Sequence, residues 1–173
     1  GQSLRVASVA SVFISRWDKA VLGKTPESLR ARLGIAIAQR TYKAYRDLLA
    51  SPRWQKLAAA GARPQRLLLA STGTKDPQAS DTLYIDNLAA PDTVNTMPEE
   101  TLHAFADHGQ VADVMPPDGG TCEPTLAEFT RAGVDLEALA ATLQREGAEA
   151  FVTSWNELIA CIAGKRAALR RAS

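Results

Sequence analysis

The sequence predicts an α/β fold built on parallel strands, with a helical tail. Three observations predict it. Short apolar runs are each followed by a cluster of polar turn residues, helical segments separate those runs, and the order reads β-α-β-α-β-α. The middle cluster is the most informative. Arg66-Leu67-Leu68-Leu69 is the unbroken apolar run of a strand covered on both faces, and it exits into Ala70-Ser71-Thr72-Gly73-Thr74-Lys75-Asp76-Pro77. Hydroxyls, backbone N–H groups and one cation are thereby gathered at a strand's C-terminal end, where parallel α/β proteins place their chemistry. Val9–Arg16 and Thr93–Thr96 leave their strands in a similar way, so the pattern points to part of an anionic-substrate site.

The elements follow in order. Leu4–Ser15 is rich in β-branched residues with small ones between them, as in a buried strand, and Trp17–Lys24 is a connection. Thr25-Pro26 supplies an N-cap and a first-turn proline for a helix running to about Ala50. Its apolar face is Leu29, Leu33, Ile37, Ala44, Leu48 and Leu49. Ser51-Pro52 ends it, and a short helix Arg53–Ala60 closes on Gly61. Arg66–Ser71 is the second strand. Ser80-Asp81 caps a short helix to about Leu88, and Thr93–Thr96 is a third, very short strand. Pro98-Glu99-Glu100 opens a helix ending near Gly109, with acidic residues suited to its first turn. Pro116-Pro117-Asp118-Gly119-Gly120 is a loop. Helices follow over about Glu123–Ala132 and from Leu136 to about Leu169, the last carrying the stripe Val152, Trp155, Leu158, Ile159, Ile162. The expected organisation is 1–109 as βα units, 110–121 as a loop and 122–173 as C-terminal helices packing on them.

Bulk properties exclude several classes. A net charge of +1 gives no field to recruit nucleic acid or an acidic membrane, and no apolar run reaches the roughly 20 residues of a membrane span. Cys122 and Cys161 have neither zinc-ligand nor CxxC spacing and read as free thiols of a cytoplasmic protein. The chain starts at Gly1 without Met, as a processed, tagged or excised product would.

Three parallel strands make a poor free-standing sheet, because both edges present unpaired backbone groups. A closed barrel needs eight βα units and about 250 residues. The expectation is that another segment supplies the missing strands: a preceding region, a second chain or a swapped copy. A small open three-stranded α/β domain is the competing architecture.

Ser8-Val9-Ala10-Ser11-Val12-Phe13-Ile14-Ser15-Arg16, Leu69 through Pro77, and Pro91-Asp92-Thr93-Val94-Asn95-Thr96-Met97-Pro98 resemble the last three strand-end motifs of transaldolases. The similarity is to the bacterial branch that also occurs fused to phosphoglucose isomerase. Pro52–Leu57, Thr101–Gly109 and Glu146–Phe151 fit the same family. The resemblance implies the C-terminal part of a (β/α)₈ TIM barrel, its sixth to eighth strands plus C-terminal helices. It further implies transfer of a dihydroxyacetone unit between sugar phosphates through a lysine Schiff base, in the cytoplasmic pentose phosphate pathway, with no metal or organic cofactor. The family's Schiff-base lysine lies on the fourth strand, so the resemblance places no catalytic residue in this chain and implies that it is inactive alone. Lys75 lies in a polar loop, and Lys19, Lys24, Lys43, Lys56 and Lys165 fall on loops or helix surfaces, where an amine stays charged.

The resemblance makes Ser11 a partner of the dihydroxyacetone hydroxyls, Arg16 the phosphate arginine, and Ser71 and Lys75 the rest of the cradle. Arginine stands at the Lys75 position in the family's better-studied branch. The residues alone leave other readings open: Ser11 as a small packing residue, Arg16 as a solvated side chain or partner of Asp18. Thr72, Thr74 and Asn95 are weaker candidates that also suit turn shaping, and Thr96 with Glu99 suggests a capping box. His103 and His108 read as a surface residue and a helix C-terminal group, and the three tryptophans as packing anchors. The basic Lys165–Arg171 run suits a helix C-terminus better than nucleic acid. The alternative functions are a non-catalytic phosphosugar-binding or assembly module, and a divergent aldolase half-barrel.

Overall fold

The computed structural model of the chain describes residues 3–111 and 113–172; position 112 of the expected loop lies outside them. Eleven elements follow one another among the described residues. They are β1 (Ser8–Phe13), α1 (Ile14–Val21), a 3₁₀ turn (Glu27–Leu29), α2 (Leu33–Ala50), α3 (Pro52–Ala59), β2 (Gln65–Ala70), α4 (Leu83–Asn87), β3 (Thr93–Asn95), α5 (Glu99–His108), α6 (Cys122–Arg131) and α7 (Leu136–Ala172). The strands form one parallel sheet in the order β1-β2-β3, with Ser8 opposite Gln65, Phe13 opposite Ala70, and Leu67 opposite Thr93. Helices connect each strand to the next, as parallel pairing requires.

β2 is the central strand and carries the core. Leu67 and Leu69 are buried, packed with Ile14, Ala38, Tyr42, Tyr45, Tyr84, Leu88 and Met115. The edge strand β1 is different: Ser8, Val9, Ala10 and Ser11 are all exposed. Among the described residues no further strand pairs with the outer edge of β1 or β3.

Four local expectations are corrected. The first strand is shorter than Leu4–Ser15, and Trp17–Lys24 is no simple connection, because helix α1 begins at Ile14. Thr25-Pro26 does not open the long helix. A 3₁₀ turn intervenes and α2 starts at Leu33, where the N-cap residue Arg32 contributes no side-chain bond. The buried face of α2 includes Ala38, Tyr42 and Tyr45, whereas Ala44 and Leu48 are exposed. The two tyrosines can be buried because their hydroxyls donate to the carbonyls of Pro91 (3.4 Å) and Asp92 (3.2 Å), leaving the rings in the core. Thr96 makes no cap for α5, whose N-cap position is Pro98.

Other expectations stand. Ser51 accepts from Trp54 N with proline at the first helical position of α3. β2, α6 and α7 lie within a few residues of where periodicity places them. The chain divides into two compact units, the first ending at Val134 and the second beginning at Asp135. The second is essentially α7, on which Val152, Trp155, Leu158, Ile159 and Ile162 are exposed. No helix among the described residues is long and apolar enough to cross a membrane.

Candidate functional site

The strand ends are tied together by hydroxyl residues. Ser15, in the first turn of α1, donates its backbone N–H to Ser71 O (3.1 Å), and its hydroxyl lies 2.8 Å from that of Ser71. Ser71 has φ +56°, so the chain turns sharply off β2 in the left-handed region that non-glycine residues seldom adopt. On the other side of β2, the hydroxyl of fully buried Thr72 donates to Asn95 Oδ1 (2.8 Å), with Thr96 O at 3.1 Å. Thr96 N–H donates to Leu69 O (3.0 Å). Thr74 closes the turn by donating to Ser80 O (2.7 Å).

Near this rim lies a half-buried carboxylate. Asp18, on α1, accepts from Leu33 N (2.9 Å), Gly34 N (3.1 Å) and the Tyr84 hydroxyl (2.7 Å). It thus caps α2 from a distance, supplying the acceptor that Arg32 does not. The approach requires glycine at position 34, since a Cβ there would sit 2.6 Å from Asp18 Oδ2 and 2.9 Å from Ile14 O. Burial pushes the Asp18 carboxyl above the usual carboxylate range, against the opposing pull of its hydrogen bonds. Burial, with the Asp18 charge, pushes the Tyr84 phenol up as well.

A cavity of about 340 Å³ opens beside Asp18, between α1, the 25–31 segment and the turn after β2. Arg30 forms one wall. Its Nε and Nη2 donate to the two carboxylate oxygens of Asp76 (Nη2, 2.6 Å), while Nη1 donates to Glu27 (2.8 Å) and Gln78 (2.6 Å). The fork holds the Asp76 carboxyl down to about 2. Lys19 and Lys75 also line the cavity.

The structure therefore joins some predicted site residues and separates others. Ser71 meets Ser15, and Thr72 meets Asn95. Ser11 is exposed on β1. Arg16 lies over the Phe13 ring at 4.2 Å and does not line the cavity that Lys75 faces. Asp18 bonds to α2 and Tyr84, a geometry unlike the pairing with Arg16 that adjacency suggests. His108 spans Asp81 (2.9 Å) and Asp107 (3.2 Å), tying α5 to the segment before α4. Ser15 could have been found in the sequence from its position just past a strand end, mirroring Ser71. Asp18, Arg30 and Tyr84 left no such signal, since their partners lie 15 to 66 residues away.

The lysines are exposed apart from Lys43, which is half-buried and paired with Asp47 (2.6 Å). That pairing raises its pKa. Among the described residues no cluster of His, Cys, Asp and Glu has the form of a metal site. Both cysteines are free, with Cys122 buried.

A parallel α/β sheet with hydroxyl and cationic residues at its strand ends defines an α/β enzyme-like rim, and the sequence comparison gives it a family. The model for transaldolase/fructose-6-phosphate aldolase matches residues 2–162, so the chain belongs to that family, whose members are TIM barrels. It is similar to a transaldolase of Parafrankia sp. (strain EAN1pec), 51% identical over 162 residues, covering 89% of this chain and 44% of that protein. A transaldolase of Frankia alni is 47% identical, covering 91% of this chain and 45% of the relative. One from Mycolicibacterium smegmatis is 40% identical, covering 96% and 47%. The chain spans about half the length of these curated relatives.

Proposed function

We propose that this chain forms the C-terminal part of a transaldolase-type TIM barrel, its β1, β2 and β3 being the sixth to eighth barrel strands. In that barrel, residues 1–109 supply βα units and the segment from 122 onward supplies the C-terminal helices. The complete protein transfers a dihydroxyacetone unit between sugar phosphates in the cytoplasmic pentose phosphate pathway. Ser11 contacts the dihydroxyacetone hydroxyls, and Arg16, Ser71 and Lys75 receive phosphate at the strand ends; Thr72, Thr74 and Asn95 shape the rim. The missing strands come from a preceding segment, a partner chain or a swapped copy, and the Schiff-base lysine comes from outside these 173 residues, on a preceding segment or a partner chain.

The family match, together with outer edges of β1 and β3 that no strand pairs among the described residues, carries this reading. A parallel strand with Ser8–Ser11 exposed suits a neighbour on that edge. The lysine environments support it too, because a Schiff-base lysine needs burial or a cationic neighbour to be neutral near pH 7. The second reading, a non-catalytic phosphosugar-binding or assembly module, is favoured by the self-contained core around Leu69 and Tyr84.

The test is borohydride trapping with fructose 6-phosphate. The chain alone is expected to gain no covalent three-carbon adduct. Mixed with the N-terminal half of a related transaldolase, it is expected to restore turnover, with the adduct on the added half. An adduct on this chain would overturn the assignment. Sugar-phosphate binding without restored turnover would favour the module.

A further inference from the structure

Helix α7 carries an apolar face where a surface helix is normally polar. Val152, Trp155, Leu158, Ile159 and Ile162 recur at three- and four-residue spacing, which sets them on one side of the helix, and each is between 47% and 62% exposed. Trp155, Leu158 and Ile162 follow the alternating step of a coiled-coil seam, with Val152 and Ile159 along one flank. On a soluble monomer, exposed apolar side chains are mostly scattered singly, and a contiguous run of them marks an interaction surface. The charges beside the face are segregated. Glu137, Glu146, Glu149 and Glu157 precede or enter it, whereas Lys165, Arg166 and Arg170 follow it, and no acid follows Glu157 in the sequence. The one base among the acids, Arg145, lies 3.9 Å from Glu149 and offsets only part of that charge.

We propose that this face joins two copies of the chain, their α7 helices running antiparallel and crossing where Trp155 meets Leu158 of the partner subunit. Antiparallel pairing lays the acidic half of each helix beside the basic half of the other and opposes the two helix dipoles. Parallel pairing would set like charge against like. The same crossing brings Val152 to Ile159 of the partner subunit. A tryptophan contributes about 150–250 Å² when covered. With four aliphatic side chains added on each copy, the pair reaches the roughly 1,000 Å² that a specific interface needs. An interface of that modest size gives a reversible dimer in the micromolar range. The pairing uses no strand residue, so it stands apart from the barrel reading.

The test is sedimentation velocity on the full chain across micromolar concentrations, where a monomer–dimer equilibrium is expected. Trp155→Glu should weaken the dimer more than about tenfold, the scale of a central aromatic anchor. The side chain is exposed, so the helix is kept, which circular dichroism checks. Orientation is read by cross-linking. Ser154 and Cys161 are both exposed on α7, and the antiparallel crossing sets position 154 of one copy beside Cys161 of the partner subunit. Ser154→Cys, oxidised with copper phenanthroline, should therefore give a dimer linked 154 to 161 in peptide maps. A chain that stays monomeric, a dimer that Trp155→Glu leaves as strong, or a dimer linked only 161 to 161 would each overturn the proposal. So would a monomer in which hydrogen exchange over 152–162 slows only when the N-terminal half of a related transaldolase is added, since the face then belongs to that half. Failure of that half to restore turnover counts against the barrel reading and leaves the dimer standing.

Discussion

The hydroxyls of Ser15 and Ser71 meet at 2.8 Å beside the backbone bond from Ser15 N to Ser71 O. The pairing of β1 with β2 is thereby extended past the last strand residues, Phe13 and Ala70, into the segment proposed to meet phosphate. A left-handed serine is unfavourable in isolation, and here the paired hydroxyl and carbonyl hold it.

Ser71→Ala should destabilise the chain by about 1 kcal/mol, the lost hydrogen bond, since the left-handed backbone strain is the same for serine and alanine. Ser71→Gly loses the same hydroxyl but relaxes φ, so it should be milder by about 1 kcal/mol. Urea unfolding of both variants checks the order; equal losses would remove backbone strain from the account.

Asp18→Ala should cost about 2–3 kcal/mol, since it removes the cap of α2 and leaves the Tyr84 hydroxyl without its acceptor. Gly34→Ala should be comparably damaging, because the added methyl meets Asp18 Oδ2 and the Ile14 carbonyl. Thermal melts of the two variants and of Tyr84→Phe test this. Tyr84→Phe should be the mildest, as it removes one of three bonds to the carboxylate.

The acid response has two opposing parts. Asp18 titrates higher folded than unfolded, so the folded form takes up the proton first and the Asp18 contribution weakens as pH rises through the interval above 3.8. Asp76 titrates at about 2 when folded, so its contribution is present above 3.8 and disappears as pH falls through about 2. Stability measured from pH 2 to 6 should therefore rise more steeply with pH in Asp18→Asn than in the unmodified chain. In Asp76→Asn it should rise less steeply.

His108 sits between Asp81 and Asp107, and those carboxylates raise its pKa. Its contribution is complete below pH 6.5 and is lost as pH rises through the elevated folded value. His108→Gln should remove that decline. The imidazole resonances, followed by NMR against pH, should titrate above those of an exposed histidine and return toward normal in Asp81→Asn.

Much of this protein was legible in the order of its residues. Strand β2 announces itself because Leu67, Leu68 and Leu69 are a run with no polar interruption, and the Ser-Thr-Gly-Thr-Lys exit follows it. Parallel pairing followed from the helices between strands, since a parallel partner cannot be reached by a tight turn. The transaldolase motifs were readable because they are contiguous peptides. What only the tertiary structure decided concerns groups far apart in the chain. Asp18 looks like a surface residue of a connection until α2 brings Leu33 N and Gly34 N to it, and Arg30 has no visible role until Asp76 and Gln78 arrive from beyond β2. Local periodicity reports which face of a segment is buried. It carries no information about which distant donor will meet a buried acceptor, because that depends on how the helices pack.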